Sequence, residues 1–70
     1  MDLRNNQITV GELLGNPAAR KVFQQRFPGV LRHPLLGAAQ TVTLEQLASF
    51  AGAYLPKRVI QETLQELQNL

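Results

Sequence analysis

Cysteine is absent from the 70 residues and histidine occurs once, at His33. The first absence excludes disulfides and dithiol chemistry, which needs thiolates. Together the two exclude the usual structural zinc site, whose ligands are drawn from Cys and several His. Tryptophan is missing as well, and the aromatic residues are Phe23, Phe27, Phe50 and Tyr54. The core must therefore rest mostly on Leu, Val, Ile and Ala. Neither charge sign dominates: seven Lys and Arg face five acids, for a formal net charge of +2. No apolar run approaches the roughly 18 residues of a membrane span. The polar start, Met1 to Gln7, lacks the apolar segment of a secretory signal. A soluble, cytoplasmic chain that does not enter a membrane is expected.

The hydrophobic fraction of 44% is that of an ordinary globular protein. Seventy residues make one domain, and a domain of this size buries only about 60% of its unfolded surface. Without disulfides or metal, its stability has to come from good helix packing or from self-association.

Pro17, Pro28, Pro34 and Pro56 divide the chain. Proline is tolerated in the first turn of a helix and disruptive inside one, so each marks a start or a stop. Thr9-Val10-Gly11-Glu12 has the form of a capping box and predicts a short helix from Val10 to about Leu14, closed by Gly15. Asn16-Pro17 reads as N-cap and first residue of a second helix reaching about Arg26. Its apolar stripe is Ala19, Val22, Phe23 and Phe27, and Phe27-Pro28-Gly29 stops it. Between Val30 and Gln40 the signals are weaker. One or two helical turns over Pro34–Ala39 are expected there, with the His33 imidazole as a cap. Thr43-Leu44-Glu45-Gln46 is a second capping box. It opens a helix whose inner face is Leu44, Leu47, Ala48 and Ala51 and which ends at Gly52. Pro56 opens the last helix, with Val59, Ile60, Thr63, Leu64, Leu67 and Leu70 as its buried stripe. Lys57 and Arg58 stand in its first turn, where the macrodipole disfavours cations. No strand signal competes, and no internal repeat, linker or low-complexity tract is apparent. The expected fold is all-α: a compact orthogonal bundle of four to five short helices on a single core. Residues 8–70 form the domain and residues 1–7 a flexible polar N-terminus.

Chemistry is sparse. Ser49, the only serine, stands mid-helix without the glycines of a nucleophile elbow. Glu12 and Glu45 are explained as capping-box members, and Glu62 and Glu66 as a solvated face. The glycines are spread singly and build no phosphate cradle. No catalytic, cofactor or metal residue is expected. The most suggestive feature is the stretch between Leu13 and Leu44, which holds no acid but carries Arg20, Lys21, Arg26 and Arg32. A one-signed patch of this kind can be a nucleic-acid footprint. Four charges make it thin, however, and the aromatic residues that could stack bases are expected in the core, so a solvated helix surface outranks it.

Ile8-Thr9-Val10-Gly11-Glu12-Leu13-Leu14, the proline-started helix through Val22, Thr43-Leu44-Glu45-Gln46-Leu47-Ala48 and the terminal Leu64-Gln65-Glu66-Leu67 follow one order along the chain. In that order the chain resembles the small helical domain of unknown function described as the hybrid-cluster-protein-associated redox disulfide domain. The resemblance implies a compact helical fold. That family often carries a Cys-x-x-Cys pair between the second helix and the threonine-capped helix. Here the matching stretch, near Val30 to Ala39, holds no sulfur, and no redox role carries over. Similar cysteine-free segments also look like modules appended to larger bacterial enzymes. A fainter likeness, through Pro17-Ala18-Ala19-Arg20-Lys21, is to the peripheral subunit-binding domain, whose glycine-rich loop is missing here.

The leading functional expectation is a non-catalytic interaction or scaffold module, with self-association as one version. Its candidate partner surface is Val30, Leu31, Arg32, His33, Leu35, Leu36, Phe50 and Tyr54. Nucleic-acid binding through Arg20, Lys21, Arg26 and Arg32, joined by Lys57 and Arg58, ranks second. A small-ligand pocket in the Val30–Ala39 loop ranks third.

Overall fold

A computed structural model describes residues 1–70. The chain forms four α-helices and no strand: α1 (Val10–Leu14), α2 (Pro17–Arg26), α3 (Leu44–Ala51) and α4 (Lys57–Gln68). A single 3-10 turn, Val30–Arg32, lies between α2 and α3. The all-α fold read from the sequence is therefore the fold adopted. Where Pro34–Ala39 was expected to be helical, the chain makes successive turns, among them Leu36 N–H to His33 C=O and Ala38 N–H to Leu35 C=O. Gly37 in the middle of this stretch, an unfavourable residue inside a helix, keeps the turns from extending into a regular one.

Local chemistry explains the helix ends. The Asn16 side chain accepts from the Ala18 and Ala19 amides at 2.9 and 3.3 Å, with Pro17 in the first turn of α2. At α3 the capping box is complete: Thr43 Oγ1 accepts from the Gln46 amide at 3.1 Å, and Gln46 Oε1 accepts from the Thr43 amide at 3.0 Å. At α1 it is one-sided. Thr9 Oγ1 accepts from the Glu12 amide, but the Glu12 carboxylate turns away to pair with Arg4. Pro56 is the N-cap of α4 rather than its first residue, and it has no side-chain oxygen to offer.

The starts of α1 and α3 are also joined. Thr9 and Thr43 face each other in an isolated antiparallel bridge. Val10 N–H donates to Val42 C=O and Leu44 N–H to Ile8 C=O, both at 2.8 Å. One step further, Gly11 N–H donates to Gln40 C=O at 2.9 Å and Glu45 N–H to Asn6 C=O at 2.8 Å. A helix start leaves its first four amides without partners inside the helix. In both helices the first two amides bond to the segment preceding the other helix, the third to the capping threonine hydroxyl and the fourth to the threonine carbonyl. Although no internal repeat was expected, the bridge joins two short segments that echo each other: Ile8-Thr9-Val10-Gly11-Glu12-Leu13 and Val42-Thr43-Leu44-Glu45-Gln46-Leu47. Gly11 is required by this close approach. A Cβ there would stand 2.9 Å from Gln40 Oε1 and 3.0 Å from the Gln40 carbonyl oxygen.

Residues 1–7 are not a free tail, and the expected boundary before Ile8 is corrected. Leu3 is 4% exposed and belongs to the core. The chain turns back through Arg4, Asn5 and Asn6, all in the left-handed region with φ of 51, 57 and 68°. Asparagine tolerates that region better than most residues. The turn is closed by Gln7 N–H to Arg4 C=O and Ile8 N–H to Leu3 C=O, and it aims the Asn6 carbonyl at the start of α3. Leu3 is buried because this turn folds it back over the base of the bundle, a long-range outcome with no helical period to announce it.

Only 11 of the 70 residues are buried, and they are unevenly placed. Leu13 and Leu67, both 0% exposed, lie at the centre among Leu3, Ile8, Val10, Leu14, Ala19, Val22, Phe23 and Leu44. The core thus gathers around α1, the N-terminal segment, α2 and the second half of α4. The radius of gyration, 11.0 Å, matches the value of about 11 Å expected for a compact domain of this length.

Candidate functional site

α3 is fixed at its first turn by the bridge and by a hydrogen bond from Gln7 Nε2 to the Glu45 carboxylate. Leu44 is its only buried residue. Leu47, Ala48 and Ala51, expected as the rest of its inner face, are half-buried. They form one wall of an apolar cleft of about 120 Å³. Phe23 of α2 and Phe27 at its C-terminal cap form the second wall, and Ile60, Thr63 and Leu64 of α4 the third, with Val30 and Leu55 completing the lining. The two phenylalanine rings are tilted by 41°, with centroids 6.5 Å apart. The cleft exists because α3 is tied down at one end only. Small side chains at 48 and 51 do not fill the space between its second half and α4.

Thr63 is the only polar residue in the lining. It is buried, and its hydroxyl donates to the Val59 carbonyl at 2.8 Å, one turn back in α4. No free polar group points into the cleft.

Phe27, Val30 and Leu47 also border a second, shallower depression of about 540 Å³, completed by Leu35, Leu36, Ala39, Gly29 and His33. The two hollows therefore adjoin, with these three residues common to both. His33 contributes as a turn residue: its Nδ1 accepts from the Leu35 amide at 3.1 Å. This is the capping role the sequence suggests, made to a turn instead of a helix.

The eight residues of the expected partner surface divide. Leu35, Phe50 and Tyr54 stand 66, 75 and 86% exposed, and Val30 is exposed more modestly at 38%. Arg32 and His33 are exposed too. Leu31 and Leu36 are half-buried and pack against the core, because the 3-10 turn and the turn at Leu36 roll them inward. Phe50 follows Leu47 by one turn of α3, so an apolar stripe continues from the cleft wall onto the open surface, and Tyr54 stands in the turn that follows the helix. The expectation that the aromatic residues are taken up by the core holds for Phe23 and in part for Phe27, and is corrected for Phe50 and Tyr54, which the end of α3 and the turn after it leave exposed. In α4 the stripe ends early: Leu70 is 46% exposed, since the helix stops at Gln68. Phe27, Leu47, Ala51, Ile60 and Leu64 carried no surface signal in the sequence. Their helical spacing reads as core, and only the gap beside α3 opens them.

The basic stretch is similarly divided. Arg26 Nε donates to Glu66 Oε1 at 2.5 Å, tying α2 to α4. Arg20 and Lys21 are exposed neighbours on α2, about 100° apart around the helix. Arg32 is exposed on the 3-10 turn. Arg58 pairs with Glu62 along α4 at 3.1 Å, which offsets its unfavourable place in the first turn. No group of three or more His, Asp or Glu is close enough to hold a metal ion, and no helix is long and apolar enough to cross a membrane. The chain matches no protein-family model, no curated protein and no solved structure.

Proposed function

We propose that this chain is a non-catalytic protein–protein interaction module whose partner surface is the apolar cleft between α2, α3 and α4 with the exposed stripe beside it. The supporting observation is a pair of adjoining apolar hollows that share Phe27, Val30 and Leu47, together with the largely exposed Phe50 and Tyr54 at the end of the helix that walls the first. Isolated apolar side chains on a surface need no explanation, but a contiguous apolar patch marks an interaction site. Small-molecule sites add a few convergent polar groups to fix orientation, and this cleft has none. Kinship with the small helical domain named above, by the shared order of motifs, belongs to the same proposal. So does a cytoplasmic location. Nucleic-acid binding ranks second, because Arg26, a member of the basic patch, is held in an ion pair.

Photo-crosslinking in cells tests the reading. A benzoylphenylalanine in place of Phe50 is expected to give a protein adduct of discrete mass. The same residue in place of Gln65, on the outer face of α4, is expected to give none. No adduct at position 50, or equal adducts at both positions, refutes the proposal.

A further inference from the structure

Charge around the cleft indicates what its partner presents. Every acid in the chain is engaged. Asp2 accepts from the Arg4 amide, Glu12 pairs with Arg4 and Glu45 accepts from Gln7. Glu62 pairs with Arg58 and Glu66 with Arg26. The cations left without an acidic partner are Arg20, Lys21, Arg32 and Lys57. Three of these are near neighbours in the chain of residues that line the hollows, although none lines them itself. Arg20 precedes Phe23 and Phe27 at helical spacing, and Lys57 precedes Ile60 and Leu64 in the same way. All four of those apolar residues line the cleft. Arg32 ends the 3-10 turn that begins at Val30, which borders both hollows. Exposed positive charge without an acidic partner therefore stands within about one helical turn of residues that line the hollows.

The cleft has room for one bulky apolar side chain: its 120 Å³ compares with the roughly 150 Å³ of a cavity that holds benzene. The adjoining depression has room for a second. Two apolar anchors one turn apart are what an amphipathic helix lays into a groove. A second copy of this chain would bring the same unpaired cations against Arg20, Arg32 and Lys57, and like charges set against each other disfavour that pairing. We propose that the two hollows together bind an acidic amphipathic helix of a partner protein. Its two apolar side chains, one turn apart, sit in the hollows, and its carboxylates meet Arg20, Arg32 and Lys57. This rests on the interaction-module reading.

The test uses the full chain labelled with ¹⁵N and two synthetic helical peptides, titrated to about 1 mM. Both carry Leu and Phe one turn apart. One has Glu at its flanking positions and the other Lys. The Glu peptide is expected to shift the Ala51, Leu55 and Leu64 amides, to bind at least tenfold more tightly than the Lys peptide, and to weaken as salt is raised. The double variant Arg20→Glu, Lys57→Glu is expected to reverse the preference between the peptides. Ala51→Leu, which fills the cleft, is expected to abolish the shifts. Should Ala51→Leu not fold, the surface charge variant still decides. If the Lys peptide binds as well as the Glu peptide, the acidic-partner proposal fails and the interaction reading stands. If neither peptide moves these amides, the acidic-partner proposal fails too. Dilution-dependent shifts of the same amides would then show a second copy in the groove and keep the interaction reading. Their absence would overturn both.

Discussion

Gly11→Ala should destabilise the domain even though alanine is the better helix former. Exchanging Gly for Ala inside a helix ordinarily gains about 1 kcal/mol. At this position the new Cβ would lie 2.9 Å from Gln40 Oε1 and 3.0 Å from the Gln40 carbonyl oxygen. The side-chain amide can swing aside. The carbonyl cannot, because it accepts the Gly11 N–H at 2.9 Å. Moving it breaks that bond and strands a half-buried donor, at a cost of about 1–3 kcal/mol. The loss exceeds the helix gain, leaving a net destabilisation of about 1 kcal/mol. Gly37→Ala is the control: a Cβ there meets nothing within 4 Å, and its φ is not positive. It should stabilise by about 0.4–1 kcal/mol through the unfolded chain. For a domain of this size each kcal/mol moves Tm by roughly 4–8 °C, so the two variants should melt roughly 10 °C apart. Thermal and urea unfolding followed by far-ultraviolet circular dichroism measures both. If Gly11→Ala is as stable as Gly37→Ala, the crossed helix starts do not constrain the fold as described.

The two capping boxes should respond differently. Gln46→Ala, which removes the acceptor of the Thr43 amide, should cost about 1 kcal/mol, whereas Glu12→Ala loses only an exposed ion pair and should cost less than about 0.5 kcal/mol, vanishing near 1 M salt. Equal urea midpoints for the two variants would contradict this. Leu67→Ala should cost about 2–5 kcal/mol against a total stability of roughly 4–10 kcal/mol for this length, which leaves a substantial unfolded fraction by amide NMR. Leu3→Ala should cost about 2–4 kcal/mol, where a tail outside the domain would cost nothing; the urea midpoint distinguishes the two. Asn5→Val, with a β-branched residue at φ 57°, should lose at least about 1 kcal/mol, and a Tm equal to wild type would refute the left-handed turn.

The sequence by itself determined where α1, α2 and α3 begin and end. Thr9, Asn16 and Thr43 cap amides two or three residues ahead of them, and Pro17 presets the first turn of α2. These effects act within one turn, so composition and spacing are enough to read them. The stripes Ala19-Val22-Phe23 and Thr63-Leu67 are legible for the same reason. Tertiary structure alone decided how deeply each stripe is buried. Leu47 and Ala51 carry the same periodic signal as Leu44. Whether they are sealed or open depends on how far α3 stands from α4, and that distance is set by bonds between residues more than 30 positions apart. Glu12 had a helix start to serve, and Arg4 drew it away. Leu3 lay in a polar run, and three left-handed residues folded it into the core. In each case the outcome depends on a partner distant in sequence, and a periodic pattern specifies which face is apolar without specifying what comes to cover it.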